Sequence, residues 1–514
     1  MRRLHTLLTL AGLLAVPSVG TGAVIHVPLE QPTIQLGVNA AAAGDTVIVA
    51  PGIYSESVLL YAGPMTLRSS GGPTLTIIDA HAFSQGFLVY GSVDEGTVLR
   101  GFTVQGGVAA GVTCMSGTSA TIEDMALTQN QGPGILSTYA SPRIDGCSFY
   151  YNNDHGVTIE GGAPVLSDCS FLEDGIDIGG GADVELKDCS FGGSGSFVRS
   201  GLRGPGARVS DSTLSADGCS FWGYDGQHAL ALYGTGQVTI DESEFRGNSD
   251  DLGPAIYCEG NGQSDTPLTV TNSLFEDNTS WENGGAVVLR WSKSASFTGC
   301  TFRGNSTPGL GGAVSTHDVA HISYSFCEFY ENHCGDDGGA VRAYGPTACD
   351  IHIDHCLFVD NSSDDKGGSI RVQDCTGVIS SCTIFGGSSS VTSGAINSSG
   401  DTAPVIEECI ISNGTGYGID ASNVAAVPLI LFCDVHGMSS GTYADPIPDM
   451  TGYYGNISAD PLFCDTMAND FRLYELSPCA TGGPGGAYIG AFDVGCSGTV
   501  VEQRSWGAIK AMYR

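Results

Sequence analysis

Lysine is nearly absent from this chain: Lys187, Lys293, Lys366 and Lys510 are the only four in 514 residues. Basic residues total 20 against 55 acidic ones, a formal net charge of −35. A surface so short of positive charge repels nucleic acid and anionic membranes, which argues against both as partners. Beyond the first two dozen residues no apolar run reaches the length of a membrane helix. Glycine is plentiful at 75 residues, about twice the usual share of roughly 7%, but it lacks a three-residue period, so collagen is excluded. The 41% of apolar residues is enough to build a core, so wholesale disorder is excluded as well. No Cys-x-x-Cys pair occurs among the 18 cysteines, so thiolate metal binding is not expected. There is no glycine-rich phosphate loop ending in Lys-Ser/Thr and no Gly-x-Ser-x-Gly elbow.

The chain opens with an address. Arg2 and Arg3 precede an apolar stretch, Leu4 to Val16, and small residues lead to Thr21-Gly22-Ala23, a cleavage site before Val24. Residues 1–23 therefore read as a secretory signal, too short to span a bilayer, and the protein is expected to be secreted or held at the cell surface. No cysteine lies near that site, so a lipid anchor is not expected. Six Asn-x-Ser/Thr acceptors follow, at Asn278, Asn305, Asn361, Asn397, Asn413 and Asn456.

The body repeats itself. The phrase Ile-x-x-Cys-x-Phe-x-x-Asn returns with drift around Cys147, Cys169, Cys189, Cys219, Ser243, Ser273, Cys300, Cys327 and Cys356, and more faintly at Cys382, Cys409 and Cys433. From Cys219 onward the steps are 24, 30, 27, 27, 29, 26, 27 and 24 residues. A second phrase keeps the same beat: GGAV begins at Gly284, Gly311 and Gly338, and GGSI at Gly367. Two motifs sharing one period indicate a solenoid. Cys and Phe stand two apart, as neighbours on one face of a strand do. The asparagine three after Phe suits a turn and tolerates left-handed backbone, and Gly-Gly allows a tight corner before the next short strand. Several short strands per unit, without helical spacing, describe a coil of parallel β-helix. Leucine-rich repeats share part of this skeleton, but they need a second apolar run where this chain has Gly, Ser and Asp.

Stacked coils place like residues over like at about 4.8 Å. The phenylalanines then form a buried column and the asparagines an amide ladder. Ten cysteines share an inward column whose spacing slightly exceeds the disulfide range, so they are expected to be free thiols acting as small hydrophobes. The other eight are free to pair in an exported protein, with Cys349–Cys375 and Cys479–Cys496 as the expected bridges. Solenoid ends need covers. Pro32 to Gly44 has helical character, with Ile34, Val38 and Ala41 along one side. The far end carries Asp460-Pro461-Leu462-Phe463, Asp470-Phe471 and Ile489-Gly490-Ala491-Phe492.

The stretch PTIQLGVNAAAAGDTVIVAPGIYSESV followed by MTLRSSGGPTLTIIDA resembles the opening of secreted proteins of the pectin-lyase-like right-handed β-helix superfamily. The coil phrases continue that resemblance from about Val58 to Val435, and DPLF…DFRL…SPC…IGAFDVGC is similar to the end of many exported bacterial members. The resemblance implies an all-β fold: a single-stranded right-handed parallel β-helix solenoid with a short N-terminal capping helix. The expected division is a signal at 1–23, an N-terminal cap at 24–57, the β-helix at 58–437, a C-terminal cap at 438–499 and a tail at 500–514. Members include lyases, hydrolases, esterases, epimerases and adhesins, so the fold does not choose the activity. The GHG and RIK blocks of polygalacturonases, the QDTL and DFIFG blocks of pectinesterases and the WxDH block of pectate lyases are all missing.

One cluster has the residue types for chemistry. Asp336-Asp337 precedes GGAV-Arg342, and Asp364-Asp365-Lys366 precedes GGSI-Arg371. One coil apart, Asp337 is expected near Asp365 and Arg342 near Arg371. Such carboxylates suit calcium, with Asp337 and Asp365 as ligands, or an acid–base pair across a glycosidic bond. With a basic side chain beside calcium they would suit a uronate lyase. Paired arginines also welcome a carboxylate ligand. The structural alternative, that solvated acidic turns simply pair with the arginines, carries more weight. Trp281 and Trp291 are candidates for stacking on sugar rings or for packing at a rim. His155, His317, His333 and His436 lie scattered over different coils. The favoured reading is a monomeric exported β-helix that presents a long acidic surface to carbohydrate or to a cell-surface partner without catalysis. Beside it stand a calcium-assisted polysaccharide lyase or glycoside hydrolase using Asp336, Asp337, Asp364, Asp365, Arg342, Arg371 and Lys366, and a calcium-stabilised scaffold.

Overall fold

The computed structural model describes residues 22–193, 205–234, 236–260, 267–345, 349–389 and 393–497. The expected signal (apart from Gly22 and Ala23) and the expected tail lie outside the described residues. The chain winds into a parallel β-solenoid whose coils contribute to three long sheets. The first sheet has 17 strands and runs from Val24–Val27 to Leu429–Leu431. The second has 16, from Val58–Ala62 to Gly441–Tyr443, and the third has 16, from Gly52–Tyr54 to Asp434–His436. One mid-chain coil shows the order. Val287–Arg290 lies in the second sheet, Ser294–Thr298 in the first and Thr301–Arg303 in the third, and Val314–His317 returns to the second.

Stacking of like on like fixes the register. Phe245 pairs with Phe275 and Phe275 with Phe302. Their rings lie face to face with centroids 5.0 and 4.6 Å apart. The stack continues unbroken from Phe149 to Phe358 at spacings of 4.5 to 5.0 Å. All these rings are buried, and each contributes about 1.5–3 kcal/mol by leaving water. The ten repeat cysteines are free and buried, as the column spacing predicted. Their thiols point at carbonyl oxygens, as Cys300 does towards Val270 O at 3.5 Å.

The asparagine column corrects one expectation. The left-handed residue at that corner is the one before each asparagine: Asp277, Gly304, Glu331 and Asp360 have φ between 52 and 62°. The asparagine itself turns inward. Asn305 Nδ2 donates to Phe275 O one coil back (3.0 Å) and to Asn332 Oδ1 one coil ahead (2.9 Å). Its own Oδ1 accepts from Asn278 N and Nδ2 at 3.1 and 2.9 Å. The side chain is thus occupied by the neighbouring coils, and its backbone cannot also make the reversal. This burial closes five of the six glycosylation acceptors, because Asn278, Asn305, Asn361, Asn397 and Asn456 are all buried. Asn413 alone is exposed.

The Gly-Gly corners are required twice over. Gly311 and Gly338 are left-handed, at φ 72 and 81°. The following glycine has no room for a side chain: a Cβ on Gly312 would sit 1.9 Å from Gly339 O. Just before these corners the coils form a short fourth sheet of six strands, including Thr279–Asn283, Ser306–Thr307, His333–Cys334 and Ser362–Ser363. These strands are only two to five residues long and carry no apolar alternation, so nothing in the sequence pattern marks them.

The N-terminal helix is shorter than its pattern, Ile34–Ala40. Thr33 caps it by accepting from Leu36 N, and the Glu56 carboxylate accepts from Ile34 N and Gln35 N. Gly37 lets it press on Val27 and Val47 at the open end of the first sheet. At the other end, Phe463–Asp465, Asp470–Tyr474 and Val494–Cys496 form a separate small sheet. Its Phe463 and Phe471 fold back onto Phe385 on the outer side of the third sheet, at 6.1 and 5.2 Å. Cys349–Cys375 is bridged as expected. The expected Cys479–Cys496 bridge is not formed: Cys496 pairs with Cys464, which lies in the same small sheet. Cys479 is instead buried, with its thiol 3.0 Å from Asp434 Oδ2.

Candidate functional site

The second sheet positions the arginines. In Val341–Tyr344 and Ile370–Gln373, Val341, Ala343, Ile370 and Val372 point into the core, so Arg342 and Arg371 point outward. They are in register across the parallel pair, as expected. The corner before each strand carries the acids. Asp365 N donates to Asp336 O at 3.1 Å, and Lys366 N donates to Asp337 Oδ1 at 3.2 Å. Asp337 thus lies over Lys366, one place along from the expected stacking on Asp365. The side chains still converge, since ligand oxygens of Asp336, Asp337 and Asp365 all lie within 4.8 Å of one another. Asp364 is exposed and outside this group, its backbone N–H bonded to Cys334 O at 3.0 Å.

Although they point away from the core, both arginines are covered, with only 8% of Arg342 and 6% of Arg371 exposed. Arg371 Nε lies 3.3 Å from Asp337 Oδ2, a charge contact without the alignment of a hydrogen bond. Its Nη1 reaches Ser422 Oγ at 3.4 Å. Arg342 is less well served. Its Nη2 donates to Gln373 Oε1 at 3.3 Å and its guanidinium lies 4.7 Å from the Tyr344 ring centre. Its Nε has no hydrogen-bond partner, and among the described residues no carboxylate is within ion-pair distance. Burial pushes both guanidinium groups down from the ordinary arginine range, and the Asp337 charge opposes the shift. Burial likewise pushes the Asp337 carboxyl up, opposed by Arg371.

The two tryptophans separate. Trp291 follows strand Val287–Arg290 and joins the arginine site through rings: 6.1 Å to His317, which lies 4.9 Å from Tyr344. Trp281 belongs to the short fourth sheet and is half-exposed, outside that chain of rings. Sequence reading set His317 aside as one of several scattered histidines, and it missed Tyr344, Gln373 and Ser422. The first three stand at the fourth position of their strands, and the period-two alternation after each Gly-Gly would have marked them as outward. Asn397, next in the arginine column, was singled out only as a glycosylation acceptor. It is buried, with Nδ2 donating to Asp420 Oδ2 at 2.5 Å and Oδ1 unpartnered.

The sequence matches the family model described as "Right handed beta helix region" over residues 85–214, 165–302 and 285–445. The chain belongs to that right-handed β-helix family, as its opening, repeats and close had indicated. A search of curated proteins found no match. Among solved structures it is similar to a pectin methylesterase from carrot, with 12% identity over 62% of this chain and 84% of that one at a TM-score of 0.25. It is also similar to pectate lyase Pel9A (12%, covering 93% and 98%, TM-score 0.23). A PL6 alginate lyase solved with a trisaccharide is another (11%, covering 85% and 91%, TM-score 0.30). Among the described residues no helix is long and apolar enough to cross a membrane.

Proposed function

We propose that this is an exported β-helix repeat protein that binds acidic carbohydrate on the outer face of its second sheet without cleaving it. The observation that carries this reading is Arg342: a residue only 8% exposed, with no carboxylate at ion-pair distance among the described residues, in register with a second buried arginine. A buried cation without a counter-ion is costly, and an incoming carboxylate recovers that cost through charge-assisted hydrogen bonds. Tyr344, His317 and Trp291 beside it offer ring faces to a sugar. The test is an array of neutral and acidic glycans run with an ultraviolet assay for unsaturated ends. Polyuronates should be retained and the absorbance should stay flat. An array on which no acidic glycan is retained defeats the proposal.

A second reading rests on the three convergent carboxylates. Asp336, Asp337 and Asp365 offer the oxygen ligands calcium prefers, and Lys366 and Arg371 stand beside them, as a lyase would need. Rising absorbance that depends on calcium, and that disappears in both Arg342→Ala and Arg371→Ala, would select it.

A further inference from the structure

We propose that His321, Asp350 and His352, on the outer face of the first sheet, form a binding site for a zinc-class divalent cation. Strands His321–Ser325 and Asp350–Asp354 pair in parallel with His321 opposite Asp350 and Ser323 opposite His352. Ile322, Tyr324, Ile351 and Ile353 fill the core, so alternation turns His321, Asp350 and His352 outward together. One carboxylate oxygen receives both rings: Asp350 Oδ2 lies 3.5 Å from His321 Nδ1 and 3.0 Å from His352 Nε2. Six other imidazoles lie beside a carboxylate, those of His26, His81, His155, His228, His317 and His355. Each of those carboxylates serves a single ring. Among the described residues Asp350 alone serves two.

Two imidazole nitrogens and a carboxylate oxygen are the donor set that zinc takes at about 2.0–2.2 Å, with a fourth position left to water. The same set is poor for calcium and magnesium, which prefer oxygen alone. This separates it from the all-carboxylate group at Asp336, Asp337 and Asp365. As placed, the three donors do not all lie within 4.8 Å of one another, so coordination requires the rings to close on the metal; the side chains are 73%, 52% and 36% exposed for His321, His352 and Asp350, which leaves room for that movement. A surface cavity of about 210 Å³ beside them, lined in part by Thr269, Ser296 and Ser323, gives room for the water ligand and its hydrogen bonds.

The test is calorimetric titration of the mature chain with zinc chloride, repeated on His321→Ala and His352→Ala, with circular dichroism to verify folding. Both side chains are exposed, so both variants should fold. One equivalent should bind with micromolar affinity and weaken about tenfold or more in each variant. Cobalt(II) should give the visible absorption of a low-coordinate nitrogen–oxygen site in the parent and lose it in both variants. Absence of saturable zinc binding, or binding undiminished in both variants, overturns the proposal.

Discussion

The inward columns of the solenoid and the outward column of its second sheet rest on the same coils, yet they obey opposite rules. Inside, one residue type recurs from coil to coil and every ladder amide is satisfied: Asn248, Asn278, Asn305 and Asn332 each pass a side-chain hydrogen bond to the next coil at 2.9–3.0 Å. Outside, the column through the arginines changes at nearly every step, from Val288 through Ser315, Arg342, Arg371 and Asn397 to Asp420. Three consecutive residues of that column, Arg342, Arg371 and Asn397, each carry a buried polar atom without a hydrogen bond. Identical geometry with repeated residues is what stability needs. Identical geometry with varied, under-satisfied residues is what a ligand can exploit.

The largest effect should come from breaking the inner column. Phe302 is stacked between Phe275 and Phe329 and fully buried. Phe302→Ala should cost about 3–5 kcal/mol in denaturant unfolding, whereas Ser315→Ala in the outward column should stay within about 0.5 kcal/mol. Similar costs at the two positions would erase the distinction.

A smaller effect sharpens the comparison from within the inner column. Asn130 Nδ2 donates to Asn152 Oδ1 at 2.8 Å and Asn152 Nδ2 to Asp174 Oδ2 at 2.6 Å, so a carboxylic acid occupies an amide's place. Burial pushes the Asp174 carboxyl up from 3.8 to about 7, against the opposing hydrogen bonds from Asn152. The folded state therefore holds this proton more tightly than the unfolded chain. The stability it confers is complete below the unfolded value of 3.8 and is lost as pH rises through about 7. Three units correspond to an upper bound of about 4 kcal/mol. Asp174→Asn removes the ionisation, so its melting temperature should exceed the parent's near about pH 8 and converge with it near about pH 4. Parallel melting curves across that range would show that the acid stays solvated.

The fold was legible because its determinants are local and repeated. Cys-x-Phe spacing set the strand, Gly-Gly set the corner, and the common period set the stack. The reversal before each asparagine was harder to see, since that position holds acids at Asp277, Glu331 and Asp360 but glycine at Gly304, a mixture that marks a left-handed corner less plainly than the asparagine beside it. The Cys464–Cys496 bridge depends on how the small terminal sheet folds, which spacing does not encode. At the site, the repeat brought Arg342 and Arg371 together and placed three acids beside them. Their burial, and the links to Gln373 one coil on and Ser422 beyond it, come from packing around the outside of the sheet.

The smallest change in stability should accompany a clear change in binding. Arg342→Met keeps a flexible unbranched stem and deletes a buried charge that has no carboxylate at ion-pair distance among the described residues. Stability should therefore hold or rise by up to about 2 kcal/mol, while polyuronate affinity falls about tenfold or more. Salt adds a second signature. The chain's net charge of −35 repels a polyanion at long range, and physiological salt screens that repulsion beyond about 8 Å while reaching the buried arginines much less. Binding by the parent should strengthen as salt rises from low to physiological concentration, opposite to binding driven by exposed basic residues. A destabilised Arg342→Met that still binds would place Arg342 with the architecture and move the ligand site elsewhere on the solenoid.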